Sequence, residues 1–211
     1  MSSISLMVRK DILLLRRYLW LIAVYAIIFS GFVQRENVLL YNFLPMMLLI
    51  LVINSDMQPS AQQFMISLPV SRKNIVLSKY LSAAMVIIIT GLLSGVVNSL
   101  VQSAFSGSIK FDTLLVVAST ISGLFFMTLY IPLFYWIGPK GGQFLNVLMI
   151  IFVTIGNGVV TGILSSEESV ALINWLNAHP GESKLVIAVI LSAAMIASFL
   201  TSVGIFKRRD I

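Results

Sequence analysis

Glu167 and Glu168 are the only adjacent carboxylates in the 211-residue sequence, and the first candidates for hydrolytic or acid–base chemistry. In one family of membrane proteases, paired glutamates act together with a nearby arginine and with histidines from later apolar segments. Leu172 stands four residues after Glu168, and the apolar segment that follows has no histidine. Ser165-x-x-Glu168 reads better as a capping box, in which both side chains satisfy free N–H groups opening a short helix. Cysteine is absent, which excludes disulfides, thiolate metal sites and cysteine nucleophiles. His179 is the single histidine, so multi-histidine metal centres are excluded too. No GxxxxGK[ST] loop is present, so the chain has no P-loop of its own for ATP. The reading is therefore of a non-enzyme without catalytic, cofactor or metal residues.

The most informative spacing belongs to basic residues instead, in LPVSRKNIVLSKY, Leu68 to Tyr80. Leu68-Pro69 ends whatever helix precedes it, because the residue before proline is biased away from helix. Ser71 is a helix N-cap, and the helix it opens runs through Ile75, Leu77 and Tyr80 into a long apolar run. Arg72, Lys73 and Lys79 supply three cations at that entry. Upstream, Asp56 can cap and Pro59 suits a first helical turn. Ser60 to Ser67 can form two turns, with Phe64, Met65 and Leu68 as an apolar knob. A short helix with such a knob, joined rigidly to a span, suits the relay of motion from a partner. From the residues alone, an ordinary loop made basic by membrane topology fits equally well.

These residues sit in a chain that is 58% hydrophobic and 10% charged. Soluble domains carry about 25% charged residues, so the chain is read as an integral membrane protein, all-α in class. A formal charge of +6 can signal nucleic acid. Here the cations flank apolar runs, where orientation in the membrane is their usual cause, and no nucleic-acid partner is expected. A span needs roughly 20 mainly apolar residues. Six runs qualify, about 18–36, 38–56, 80–105, 113–137, 143–164 and 185–206, and they leave one transmembrane domain over 1–211. Arg9, Lys10, Arg16, Arg17, Arg72, Lys73, Lys79, Lys140, Lys207, Arg208 and Arg209 fall on one side; Arg35, Lys110 and Lys184 fall on the other. The positive-inside rule then puts both termini and the 57–79 and 138–142 loops in the cytoplasm, at the plasma membrane. The first run lacks a clear small-residue cleavage site, which argues against a signal peptide.

No Asp, Glu, Lys or Arg lies deep in any run. Such charges cost about 2.5–3.5 kcal/mol at a helix centre and are kept for proton relays, ion sites and voltage sensing. Their absence argues against a proton-coupled carrier, pump or channel for charged substrates. Asn98, Gln102, Asn146 and Asn157 are read as bonds between helices, with the lining of a path as the alternative. Gly91-x-x-x-Gly95 and Gly158-x-x-x-Gly162 permit close helix approach. Pro132 is expected to kink the fourth run, its freed carbonyl satisfied locally.

Residues 4–17 form a basic amphipathic helix. Arg9, Lys10, Arg16 and Arg17 share an arc of about 120°, with Ile4, Met7, Val8, Ile12 and Leu15 mostly opposite. Such a helix lies in the membrane interface against lipid headgroups. Asp11 falls on the apolar side, and the sequence gives no firm reason for it. Val170, Leu172, Ile173, Trp175 and Leu176 suggest a short outer helix between spans five and six, with Trp175 at the interface. Lys207-Arg208-Arg209 closes the last run.

S-L-P-V-S-R-K-x-I-V-x-x-K-Y, Ser67 to Tyr80 after a second run, resembles the permease subunits of ABC-2 type ABC transporters, particularly the small six-span type. The resemblance extends over the Lys10-Asp11 start, the six runs, the outer helix and the basic tail. It implies that the 57–79 loop carries a coupling helix docking on a separate cytoplasmic ATPase, which holds ATP and Mg. Two ATPase copies and a second permease chain, same or different, complete the assembly. Phe64, Met65 and Leu68 match the docking knob, and Pro69, Ser71, Arg72 and Lys79 the motif, with Lys73 beside them. Met57 to Gln63 departs from relatives in being neutral. The small relatives include exporters of amphipathic peptides such as phenol-soluble modulins and exporters that give protection from antimicrobial peptides, so peptide export is the first expectation, with lipids, drugs and polysaccharides left open. Arg72→Glu is expected to weaken ATPase association and spare membrane insertion. The alternative is a non-transporting scaffold or sensor subunit that recruits a cytoplasmic partner.

Overall fold

The computed structural model describes residues 3–18, 20–21, 24–25, 38–55, 70–106, 111, 113–138, 141–164 and 179–208. Among them every regular element is helical: α1 (Ser3–Arg17), α2 (Val38–Ser55), α3 (Arg72–Ser106), α4 (Thr113–Ile137), α5 (Gly142–Leu164) and α6 (Pro180–Arg208). Of the expected first run only Tyr18, Trp20, Leu21, Val24 and Tyr25 are described. The coupling helix expected before Pro69 and the outer helix expected around Trp175 fall on residues outside those described.

Local chemistry explains the helix ends. α3 opens where expected, with Ser71 Oγ accepting from the Asn74 N–H at 3.3 Å. α4 stops at Gly138, whose φ of 70° gives the left-handed turn that a side chain disfavours. The Gly138 N–H returns to the Phe134 carbonyl at 3.0 Å. α6 begins five residues before the apolar run expected at 185. Pro180 suits a first helical position, and Glu182 complements the positive end of the helix.

Three described segments are long and apolar enough to cross a membrane: Arg72–Leu100, Val116–Ile137 and Gly181–Arg208. Leu44–Asn54 and Gly142–Phe152 are shorter apolar pieces. Large apolar side chains also cover the outside, among them Leu92 and Leu100 on α3, Phe144 and Ile155 on α5, and Leu185 and Ile190 on α6. A surface like this suits a lipid environment and not water.

α4 is central, packing on α2, α3, α5 and α6, while α3 packs on α1, α2, α4 and α6. A ladder of rings runs along α4. Phe126 stacks on Tyr130 at 5.8 Å, Tyr130 meets Phe134 at 6.2 Å, and Phe134 meets Tyr135 edge-on at 5.5 Å. Tyr135 then reaches Phe206 of α6 at 5.1 Å. Where α3 crosses α4 the glycine spacing has the effect expected of it. A Cβ on Gly95 would stand 2.5 Å from Val116 Cγ2, and one on Gly91 2.9 Å from Thr120 Oγ1. Gly123 of α4 is equally close to Ile87 of α3.

Gly95→Ala should therefore destabilise the protein despite better helix propensity. Overpacking costs about 1–3 kcal/mol against a gain of about 0.5–1 kcal/mol, and Val116 is too stiff to turn away. Gly204→Ala, with nothing within 4 Å of the new methyl, should be neutral or stabilising. Thermal unfolding in detergent distinguishes the two; a Gly95→Ala protein as stable as the Gly204→Ala one would contradict the close approach.

Candidate functional site

Five polar residues at the start of α3, Arg72, Ser78, Lys79, Tyr80 and Ser82, contact another helix through their side chains. Arg72 Nη1 donates to the Phe206 carbonyl at 3.3 Å and the Lys207 carbonyl at 3.2 Å. These belong to the last turn of α6, whose carbonyls lack partners within the helix and carry partial negative charge. Arg72 thus fastens the beginning of α3 to the end of α6. Lys73 is exposed beside it. Two turns further on, Ser78 Oγ lies 3.3 Å from Met7 Sδ of α1 and donates to the Ile75 carbonyl at 2.8 Å.

Lys79 turns inward. Its Nζ donates to Asp11 Oδ2 at 3.2 Å, and the two side chains are 6% and 4% exposed. Ser82 Oγ donates to the same oxygen at 2.6 Å. This gives Asp11 its place on the apolar side of α1: that face lies against α3, and the aspartate meets its counter-charge there. Asp11 Oδ1 is 3.3 Å from Lys10 Nζ but forms no hydrogen bond. Asp11 and Lys79 are the buried charged side chains among the described residues.

Tyr80, next in sequence and about 100° around the helix, faces the other way. Its hydroxyl is 2.5 Å from Ser198 Oγ and 2.9 Å from Ser202 Oγ, both on α6. Ser198 Oγ donates to the Thr128 carbonyl of α4 at 2.5 Å. Each hydroxyl has a single proton, which fixes the directions. Ser198 gives its proton to Thr128, so Tyr80 donates to Ser198, and Ser202 donates to Tyr80. The Thr128 carbonyl is the one Pro132 leaves open, since proline has no N–H for the residue four before it. The expectation of local satisfaction is thus corrected: the partner comes from a neighbouring helix. α4 remains continuous through Pro132.

Elsewhere the polar residues join helices as expected. Tyr130 donates to Asn146 Oδ1 at 2.8 Å, linking α4 and α5. Tyr25 hydrogen-bonds Ser94 of α3, whereas the buried Nδ2 of Asn98 makes no hydrogen bond to another helix among the described residues. The side chains of Gln102 and Asn157 lie outside the described residues.

The residues singled out from the sequence thus separate. Phe64, Met65, Leu68, Pro69 and Trp175 are outside the described residues, as is the side chain of Arg17. Ser71 caps, Arg72 holds α6, Lys73 is exposed, and Lys79 is buried away from any surface that could meet a partner. Arg9, Lys10 and Arg16 are exposed on α1. Arg72→Glu therefore also breaks a helix contact, and Lys73 is the cleaner residue for charge reversal. Asp11, Ser82, Ser198, Ser202 and Thr128 were not anticipated. Two signals pointed toward them: the misplacement of Asp11 on an apolar face, and Pro132, which frees the Thr128 carbonyl.

Two stability results follow. Lys79→Met alone leaves a buried aspartate unpaired and should cost about 3–5 kcal/mol, whereas Asp11→Leu with Lys79→Met should recover most of it. Unfolding midpoints in detergent check this, and no recovery in the double variant would contradict it. Ser198→Ala should destabilise the native protein by about 1 kcal/mol more than it destabilises the Pro132→Ala protein. In that background the substituted alanine offers the Thr128 carbonyl an N–H from within α4. Equal losses in both backgrounds would contradict the Ser198–Thr128 assignment.

The comparisons agree with this arrangement of a helical membrane chain. No curated protein matches it. A family model described as ABC-2 family transporter protein matches residues 6–207, from the first turns of α1 to the last turn of α6. The chain belongs to the ABC-2 family of transporter membrane proteins.

Proposed function

We propose that the chain is the permease subunit of an ATP-driven exporter, a single six-span domain over 1–211 with both termini in the cytoplasm. It sits in the plasma membrane and binds no nucleotide. A separate ABC ATPase, in two copies, binds ATP and Mg and hydrolyses ATP. A second permease chain, identical or different, completes the path. Phe64, Met65 and Leu68 form the docking knob, with Pro69 ending it and Lys73 contributing charge beside it. Arg9, Lys10, Arg16, Arg17 and Trp175 meet lipid headgroups.

The observation that carries the reading is the junction at the start of α3. The helix that leaves the coupling loop is bonded within its first three turns to α1 and α6, and through Ser198 of α6 to α4. A push at Ser71 therefore cannot displace α3 alone. That is the construction expected where motion from a partner enters a membrane bundle. Spans without deep charges suit amphipathic cargo, for which amphipathic peptides are the first class to try.

A gentle detergent pull-down from the native host tests the assignment. A Walker-motif ATPase should come down with the chain and be lost when Phe64, Met65 and Leu68 are changed to serine. Lys73→Glu should reduce its recovery while the chain stays folded. Recovered ATPase should hydrolyse ATP faster with amphipathic peptide. A folded chain with no ATPase would overturn the permease reading, and a bound ATPase that no cargo stimulates would favour a scaffold.

A further inference from the structure

α1 does not need a charged pair in order to lie against α3. Met7 packs on the main core and Val8 is buried, so the helix already has an apolar contact face. Apolar contact is non-directional, and two such faces slide or rotate on each other at little cost. The Asp11–Lys79–Ser82 cluster is directional. Two donors converge on one carboxylate oxygen at 2.6 and 3.2 Å, and a small slip would separate opposite charges in poorly solvating surroundings. A buried ion pair adds little net stability over an apolar substitute; its best-attested use is to fix register.

Its position gives that register a consequence. Lys79 lies about 12 Å along α3 from Ser71 at 1.5 Å per residue, between the entry of the helix and its apolar length. Tyr80 and Arg72 tie the same stretch to α6. Lys79 adds α1, and with it the exposed cations Arg9, Lys10 and Arg16.

We propose that Asp11 and Lys79 are positioning residues that lock α1 and the start of α3 into one moving body, so that a displacement entering at Ser71–Lys73 carries α1 with it. The proposal rests on the reading that a partner ATPase drives this end of α3. On it, the basic helix is a driven arm and not a static anchor.

Pulsed-EPR distances test it in the complex with its co-purified ATPase, reconstituted in lipid. The chain has no cysteine, so labels at introduced cysteines report the chosen positions once the partner's cysteines are replaced. Arg9→Cys with Leu81→Cys spans α1 and α3; Leu81→Cys with Phe144→Cys spans α3 and α5; all three residues are exposed. On adding ATP and vanadate, the α3–α5 distance should shift by about 2 Å or more, while the α1–α3 distribution keeps its centre and width. In Asp11→Leu with Lys79→Met, which keeps the apolar contact, the α1–α3 distribution should shift or broaden with nucleotide. An α1–α3 distance that changes with nucleotide in the native pairing overturns the proposal. So does one that stays fixed in the apolar variant. If no ATPase co-purifies, or neither distance responds in the native pairing, the permease reading fails and takes the positioning role with it.

Discussion

A charge buried between apolar helices must find its opposite, and in this protein that requirement joins two helices whose paired charges lie 68 residues apart. Asp11 on α1 meets Lys79 on α3, with Ser82 completing the contact. Transferring either charge alone into such surroundings is costly, so the pair fixes which faces of the two helices touch. With Lys79 fixed on one side of α3, Tyr80 necessarily faces another side, toward Ser198 and Ser202 of α6. The rest of the junction follows from that orientation, including the link through Ser198 to the carbonyl that Pro132 leaves open on α4.

The junction separates two kinds of interaction. In a membrane, apolar packing has no solvent to escape from, and association rests on close packing and on bonds between polar groups. Gly91, Gly95 and Gly123 supply the close packing where α3 crosses α4. The polar bonds gather at the start of α3, where the chain enters the bundle from the loop that the family resemblance marks for coupling. Among the described residues, directional bonds between helices are therefore concentrated where α3 begins. Farther along, the exposed apolar faces of α5 and α6 meet their surroundings without directional bonds.

Much of the fold was legible. The run expected over 113–137 coincides with α4, and α2 and α5 begin and end within a residue of the runs expected for them, because apolar length and glycine or proline punctuation are local signals. The Ser71 cap was legible for the same reason. What was hidden is long-range. A cation beside a membrane run reads as a topology signal, and nothing local distinguishes an exposed Lys73 from a buried Lys79; the distinction lies 68 residues away, in Asp11. The partner of the Thr128 carbonyl was hidden likewise, since Pro132 shows that a bond is lost but not that a serine 70 residues after Thr128 restores it.

The central claim is that the start of α3 is where an ATPase partner acts on the chain. The most direct measurement is site-specific cross-linking in the native host from a cysteine introduced at Lys73, an exposed cation of the junction that holds no other described helix in place, with Phe144 and Leu185 as exposed controls. Because the chain has no cysteine, each adduct reports one position. A Walker-motif ATPase captured from Lys73 and from neither control is the expected result. Capture from a control with none from Lys73 would place the partner elsewhere and contradict the role given to this junction.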